Sequence, residues 1–132
     1  MSLFSGKRPR SLGVNDGRLA SCGRRLNCVS SQADPGDAQR YVAPIQVKGT
    51  AAEAIAAARR AVESMARARV VRAEGSYLHA EFRSRLLGFL DDVEFFFDER
   101  TAVLHVRSAS RLGRRDFGVN RERVEALRAR LQ

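Results

Sequence analysis

Tyr77-Leu78-His79-Ala80-Glu81-Phe82-Arg83-Ser84, then Asp92-Val93-Glu94-Phe95-Phe96-Phe97, then Ala102-Val103-Leu104-His105-Val106-Arg107-Ser108 are three neighbouring runs with one pattern. Apolar and polar residues alternate, as they do along a strand whose side chains point in turn to opposite faces. Leu78, Ala80 and Phe82, Val93, Phe95 and Phe97, and Ala102, Leu104 and Val106 define the core side. Tyr77, His79, Glu81 and Arg83, Asp92, Glu94 and Phe96, and Val103, His105 and Arg107 fall on the other side. Short connections between consecutive strands favour an antiparallel meander.

Upstream, Val70 to Glu74 forms a short strand that turns at Gly75-Ser76. Before it, Ala51 to Ala66 is Ala-rich, with Ile55, Val62 and Met65 near one face, and is expected to be helical. Thr50 caps its start and Glu53, three residues on, closes a capping box. Tyr41 to Lys48 alternates loosely around Pro44, as an edge strand does because proline cannot donate a ladder bond. At the other end Asn120 is expected to cap a helix reaching Leu131, with Val124, Leu127 and Leu131 on one stripe. Narrow helix faces need a sheet to cover. The expected fold is therefore α+β: a single domain over residues 41–132, with a curved antiparallel sheet of about five strands. Its order is β-α-β-β-β-β-α, and both helices pack on one face.

Residues 1–40 are rich in Ser, Gly, Arg and Asp and keep no period. They read as an irregular N-terminal arm, either flexible or draped over the domain, with Leu3, Phe4, Leu12, Val14 and Leu19 available as anchors. Cys22 and Cys28, with five residues between them, allow a bridge that staples a local loop or two free thiols, and a reducing cytosol favours the thiols. No apolar run approaches the ~20 residues of a membrane span, and the first ten residues are followed by no secretory h-region. The chain as written reads as soluble and cytoplasmic, with export open if it has been trimmed. Of the 24 basic residues 22 are Arg, and the net charge of +9 raises the question of an anionic partner.

Matching the polar faces across the strands restricts the register to even steps. A two-residue turn at Glu99-Arg100 predicts the rows Arg83–Asp92–Arg107 and Glu81–Glu94–His105. Such a face is either solvated and laced by cross-strand ion pairs or a site in which Glu81, beside Glu94, shares a proton with His105. Glu81, Glu94 and His105 are thus the catalytic candidates, and His79, Arg83, Asp92 and Arg107 the contact candidates. Neither metal nor cofactor is expected. The outer strands of the three lie roughly 9–10 Å apart, too far for His79 and His105 to ligate one ion.

Ser108 to Arg121 forms an Arg/Ser/Gly loop that leads into a helix N-terminus, where unpaired N–H groups favour an anion. Ser108, Ser110, Arg111, Arg114, Asp116, Asn120 and Arg121 are its contact candidates. The competing reading is a loop whose Ser, Asp and Asn satisfy their own backbone. Asp116-Phe117-Gly118 matches a kinase magnesium motif by letters alone, since the other kinase motifs and the necessary length are absent.

Gly88-Phe89-Leu90-Asp91-Asp92-Val93-Glu94-Phe95, Val106-Arg107-Ser108-Ala109-Ser110-Arg111-Leu112-Gly113 and Asp116-Phe117-Gly118-Val119-Asn120-Arg121 resemble the uncharacterised DUF1499 family. So do Tyr77-Leu78-His79-Ala80-Glu81-Phe82-Arg83-Ser84 and Asn27-Cys28-Val29-Ser30-Ser31-Gln32. The resemblance runs from Phe4-Ser5-Gly6-Lys7-Arg8-Pro9 to the last helix. It implies a family of bacteria and of plastids, without an assigned activity or established catalytic residues. Relatives often carry Cys-Pro-x-Ser-Pro-Asn-Cys where this chain reads Cys22-Gly23-Arg24-Arg25-Leu26-Asn27-Cys28. Some relatives also carry export signals.

The leading expectation is a non-enzymatic binding or assembly module that presents the polar sheet face and the Arg/Ser loop to a protein or small anionic ligand. The alternatives are an enzyme using the Glu/Glu/His row for acid–base chemistry and a non-specific nucleic-acid binder, the latter supported by charge alone. An enclosed polar face favours ligand or catalysis; an open one favours a partner surface.

Overall fold

Leu78, Ala80 and Phe82, Val93, Phe95 and Phe97, and Leu104 and Val106 are all buried on one side of a six-stranded antiparallel sheet. The computed structural model describes residues 6–85, 87–113 and 115–132. The elements are β1 (Cys28–Ser30), β2 (Ile45–Gln46), α1 (Ala51–Glu63), β3 (Ala68–Glu74), β4 (Tyr77–Arg83), β5 (Leu90–Asp98), β6 (Val103–Ser110) and α2 (Val119–Leu131). Strand order is β1-β6-β5-β4-β3, with β2 also pairing β6. The fold is α+β, with the helices and strands in the expected sequence and one further strand, β1, inside the arm.

Both helices cover the apolar face. The buried face of α1 carries Ala54, Ile55, Ala58, Ala61 and Val62, and α2 adds Val124 and Leu127. Thr50 accepts from the Glu53 amide while the Glu53 carboxylate accepts from the Thr50 amide, closing the capping box. The start of α2 differs from expectation. Its N-cap is Gly118, whose φ of 84° suits a residue without Cβ. The Asp116 carboxylate accepts the Gly118 and Asn120 amides, and Asn120 lies buried inside the first turn.

Three further expectations are corrected. The strand over 41–48 shrinks to Ile45–Gln46, because this segment meets β6 only at Leu104 and Val103. Of its two expected forms the arm takes the draped one, and it is not irregular throughout, since β1 pairs Ala109, Ser108 and Arg107 of β6. Leu19 is buried, as an anchor of the arm would be; Leu3 and Phe4 lie outside the described residues. Cys22 and Cys28 form a disulfide, which sets aside the free-thiol alternative.

The register moves by two residues in both hairpins. β5 and β6 are joined through residues 99–102, with Asp98 opposite Val103 and Ala102 at φ 56°, outside the strand. Two extra turn residues place Glu94 opposite Arg107 and His105 opposite Phe96. Between β4 and β5, Glu81 meets Asp92 and His79 meets Glu94. An even shift keeps every side chain on its expected face, so the two faces are as read and the predicted rows do not form.

Candidate functional site

The polar face of β4, β5 and β6 is roofed by the arm rather than open to solvent. His79, Glu81, Asp92, Glu94 and Arg107 are all buried. Charges removed from water in this way must be paired and hydrogen-bonded, and two networks do most of this.

The first centres on Arg111, whose guanidinium is itself buried just beyond β6. Its Nε donates to Asp92 Oδ2 at 2.8 Å, and Nη2 donates to Asp92 Oδ1 at 2.9 Å and to Glu81 Oε2 at 2.6 Å. His79 Nε2 lies 2.7 Å from the same Asp92 Oδ1. Glu81 also receives Arg8 from the arm at 2.6 Å and Arg69 from β3 at 2.9 Å. Burial alone would raise the Glu81 carboxyl, but the Arg8, Arg69 and Arg111 hydrogen bonds outweigh it and hold the pKa at about 2. For Asp92 burial is likewise overcome, by Arg111 and His79, and its pKa is lowered. Arg111 is correspondingly raised, first by its hydrogen bonds to Asp92.

The second network centres on Glu94, which is wholly inaccessible. Its Oε2 accepts the Tyr77 hydroxyl at 2.5 Å and the Gly13 amide of the arm at 2.7 Å. Burial, then Glu94, raises the Tyr77 pKa. Arg107 Nη1 stands 3.8 Å from Glu94 Oε1, and its Nη2 reaches the Ser21 carbonyl at 3.5 Å. Among the described residues Glu94 Oε1 and Arg107 Nε have no hydrogen-bond partner. Burial accordingly lowers the Arg107 pKa, against the pull of Glu94.

His105 joins neither network. Its Nδ1 lies 2.8 Å from Ser31 Oγ, and burial lowers its pKa. The expected Glu81–Glu94–His105 constellation is therefore not assembled. Ligand atoms of His79, Glu81 and Asp92 lie within 4.8 Å of one another, the separation a metal would need. The Arg111 guanidinium already bonds both carboxylates, so a cation there would have to displace it.

On the helix side, the Arg/Ser loop spends its polar groups internally. Asn120 Oδ1 accepts Ser108 Oγ at 2.6 Å and Arg123 Nη1 at 2.9 Å. Its Nδ2 donates to the Asn27 carbonyl, Ser110 Oγ and Asp116 Oδ2 at 3.2, 3.0 and 2.7 Å. Arg121 donates to the carbonyls of Tyr41, Ala38 and Gln39, and so clamps the loop before β2 instead of facing an anion. Asn27 Nδ2 donates to Gly113 O at 2.7 Å, fastening the Cys22–Cys28 loop to the same segment. Burial raises the pKa of Asp91, with Arg123 offsetting it in part from 2.7 Å. Arg114 lies outside the described residues.

A family model described as a protein of unknown function (DUF1499) matches residues 18–131. The chain belongs to the DUF1499 family. No curated protein and no solved structure matches it. The match takes in both networks except Arg8 and Gly13, which come from the arm ahead of it.

The residues sequence reasoning passed over are the arm's contributors, Arg8, Gly13 and Ser31, together with Asn27, Arg69 and Arg123. Each lies in a segment without polar–apolar period or is one arginine among many; the buried Asn27, next to Cys28, had the clearest local cue. Arg83, which was expected within the rows, sits instead at the exposed end of β4 and donates to Gly88 O at 3.3 Å. Beside it a cleft of about 430 Å³ opens over Glu81 and Arg111, lined also by Lys7, Arg8 and Arg69. No helix among the described residues is long and apolar enough to cross a membrane.

Proposed function

We propose that this chain is a non-enzymatic binding module for a small anionic ligand, received in the cleft over Glu81. The observation that carries this reading is the charge of the cleft wall. Lys7, Arg8, Arg69, Arg83 and Arg111 stand against the single carboxylate of Glu81. Arg8, Arg69 and Arg111 all converge on that carboxylate, so its charge is more than matched before Lys7 and Arg83 are considered. Arginine forks suit carboxylate and phosphate oxygens, which accept two parallel N–H bonds. A concave site with such donors favours a compact polyanion over an extended one.

Acid–base catalysis is less well supported. A carboxylate held at about 2 is a poor proton donor at neutral pH, and His105 faces Ser31 rather than the Glu81 network. The Cys22–Cys28 bridge supports an oxidising compartment in place of the expected cytoplasm.

The test is calorimetric titration with inorganic phosphate, pyrophosphate and citrate. The expected result is saturable binding of at least one of them, weakened about tenfold in Arg83→Gln, as loss of one charge-assisted hydrogen bond implies. Arg83 is exposed, so this variant keeps the fold. Absence of binding heat with all three anions, or wild-type affinity in both Arg83→Gln and Lys7→Gln, overturns the proposal.

A further inference from the structure

Leu26, Leu87, Leu112, Phe117 and Val119 are the exposed large hydrophobic residues among those described, and Phe117 is 92% exposed. They gather at one end of the sheet. Leu26 and Phe117 line one hollow with Arg115 and Arg121. Leu112, Phe117 and Val119 line the adjoining one with Ser84 and Phe89, the residues that bracket the loop carrying Leu87. Three separate connections thus bring apolar tips together: the disulfide loop, the β4–β5 loop and the β6–α2 loop.

The backbone holds Phe117 in an unusual way. Its φ is 52°, in the left-handed region that a bulky side chain seldom enters. The fold keeps a strained phenylalanine that packs against almost nothing, where asparagine or glycine would sit more easily.

The outward charges beside these tips are mainly positive. Arg85 and Arg115 are exposed. Of the nearby acids, Asp116 is engaged on the amides of Gly118 and Asn120 and Asp91 on Arg123, while Glu122 in the first turn of α2 is exposed. Apolar side chains on loop tips, interleaved with more arginines than outward carboxylates, complement a layer of anionic headgroups over acyl chains. We infer that this end of the domain docks on the surface of an anionic lipid bilayer, with Phe117 and Leu112 entering the acyl boundary and the arginines meeting lipid phosphates. The inference does not depend on the cleft over Glu81.

The chain has no tryptophan, so Phe117→Trp provides a single indole at the deepest point of contact. With vesicles of phosphatidylcholine mixed with phosphatidylglycerol, its emission is expected to shift to the blue and the protein to pellet with the lipid; phosphatidylcholine alone should do neither. Phe117→Asn suits the left-handed backbone, so its melting temperature should equal or exceed that of the wild type, while binding to the anionic vesicles falls about tenfold through loss of the buried ring. Three results would overturn the inference. They are no association with the anionic vesicles, undiminished association of Phe117→Asn, and a blue shift that grows with protein concentration in the absence of lipid, which would assign the surface to a second copy of the chain.

Discussion

Replacing Arg111 with methionine removes the guanidinium that joins Asp92 to Glu81 while keeping a flexible stem of similar reach. Three charge-assisted hydrogen bonds of 2.6 to 2.9 Å disappear, all from a side chain only 5% exposed. Removing one partner of a buried ion pair costs about 3–5 kcal/mol. The lower end applies here, because Glu81 retains Arg8 and Arg69 and Asp92 retains His79. For a chain of this length a loss of about 3 kcal/mol lowers the melting temperature by roughly 10 °C. The assay is thermal unfolding followed by circular dichroism across acid pH. Glu81 is held at about 2 against an ordinary 4.5, and Asp92 is lowered as well. A carboxyl depressed in the folded state adds stability that is complete above its ordinary pKa and lost as the pH falls towards the folded value. The wild type should therefore lose stability between about pH 4.5 and about 2, and Arg111→Met should lose less of it. The gap between the two curves is expected to narrow through that window. A gap that stays constant from neutral pH into acid would show that the variant suffers from packing alone and would refute the electrostatic reading.

Asn120→Ala leaves Ser108 Oγ, Arg123 and Asp116 without their shared buried partner, and should cost about 2–4 kcal/mol by chemical denaturation with the slope unchanged. Replacing both Cys22 and Cys28 with serine opens a short loop and should cost about 2 kcal/mol on loop-closure grounds; amide exchange is expected to rise first in residues 22–28, which that loop encloses.

The parts of the fold legible in the sequence are those where a local period repeats what the packing demands. Alternation in β4, β5 and β6 assigned each side chain to its face, and Thr50 with Glu53 marked the start of α1. Register was hidden because the turn at residues 99–102 places Ala102 in a left-handed conformation, where glycine or asparagine would have announced the longer turn. The arm was hidden for a different reason. Its backbone is satisfied by partners far along the chain: the Gly13 amide by Glu94, the Asn27 carbonyl by the Ser110 amide, the Ser31 amide by the Val106 carbonyl. None of these bonds leaves a period in the arm itself. The candidate site inherits both difficulties, since Glu81, Asp92 and Glu94 were visible as acids sharing the polar face while Arg8 and the roof that buries them were not.

That division also bears on the charge of the chain. Several arginines of this protein bond backbone carbonyls. Arg121 holds the carbonyls of residues 38, 39 and 41, Arg128 those of Ala43 and Pro44, Arg40 those of Arg24 and Arg25, and Arg25 that of Ser110. A guanidinium presents several donors in a fixed plane and can bridge two or three carbonyls at once, which lysine's point charge does less well. Arg40 and Arg128 also pair with Asp37 and Glu125, but Arg121 and Arg25 fasten their loops through carbonyls, so part of the positive charge is a by-product of how irregular segments are tied down. Part of the +9 therefore needs no nucleic acid to explain it. The charge left for the two proposed contacts is the fraction facing outward, at the cleft over Glu81 and around Phe117, two surfaces that meet at the Leu90 end of β5.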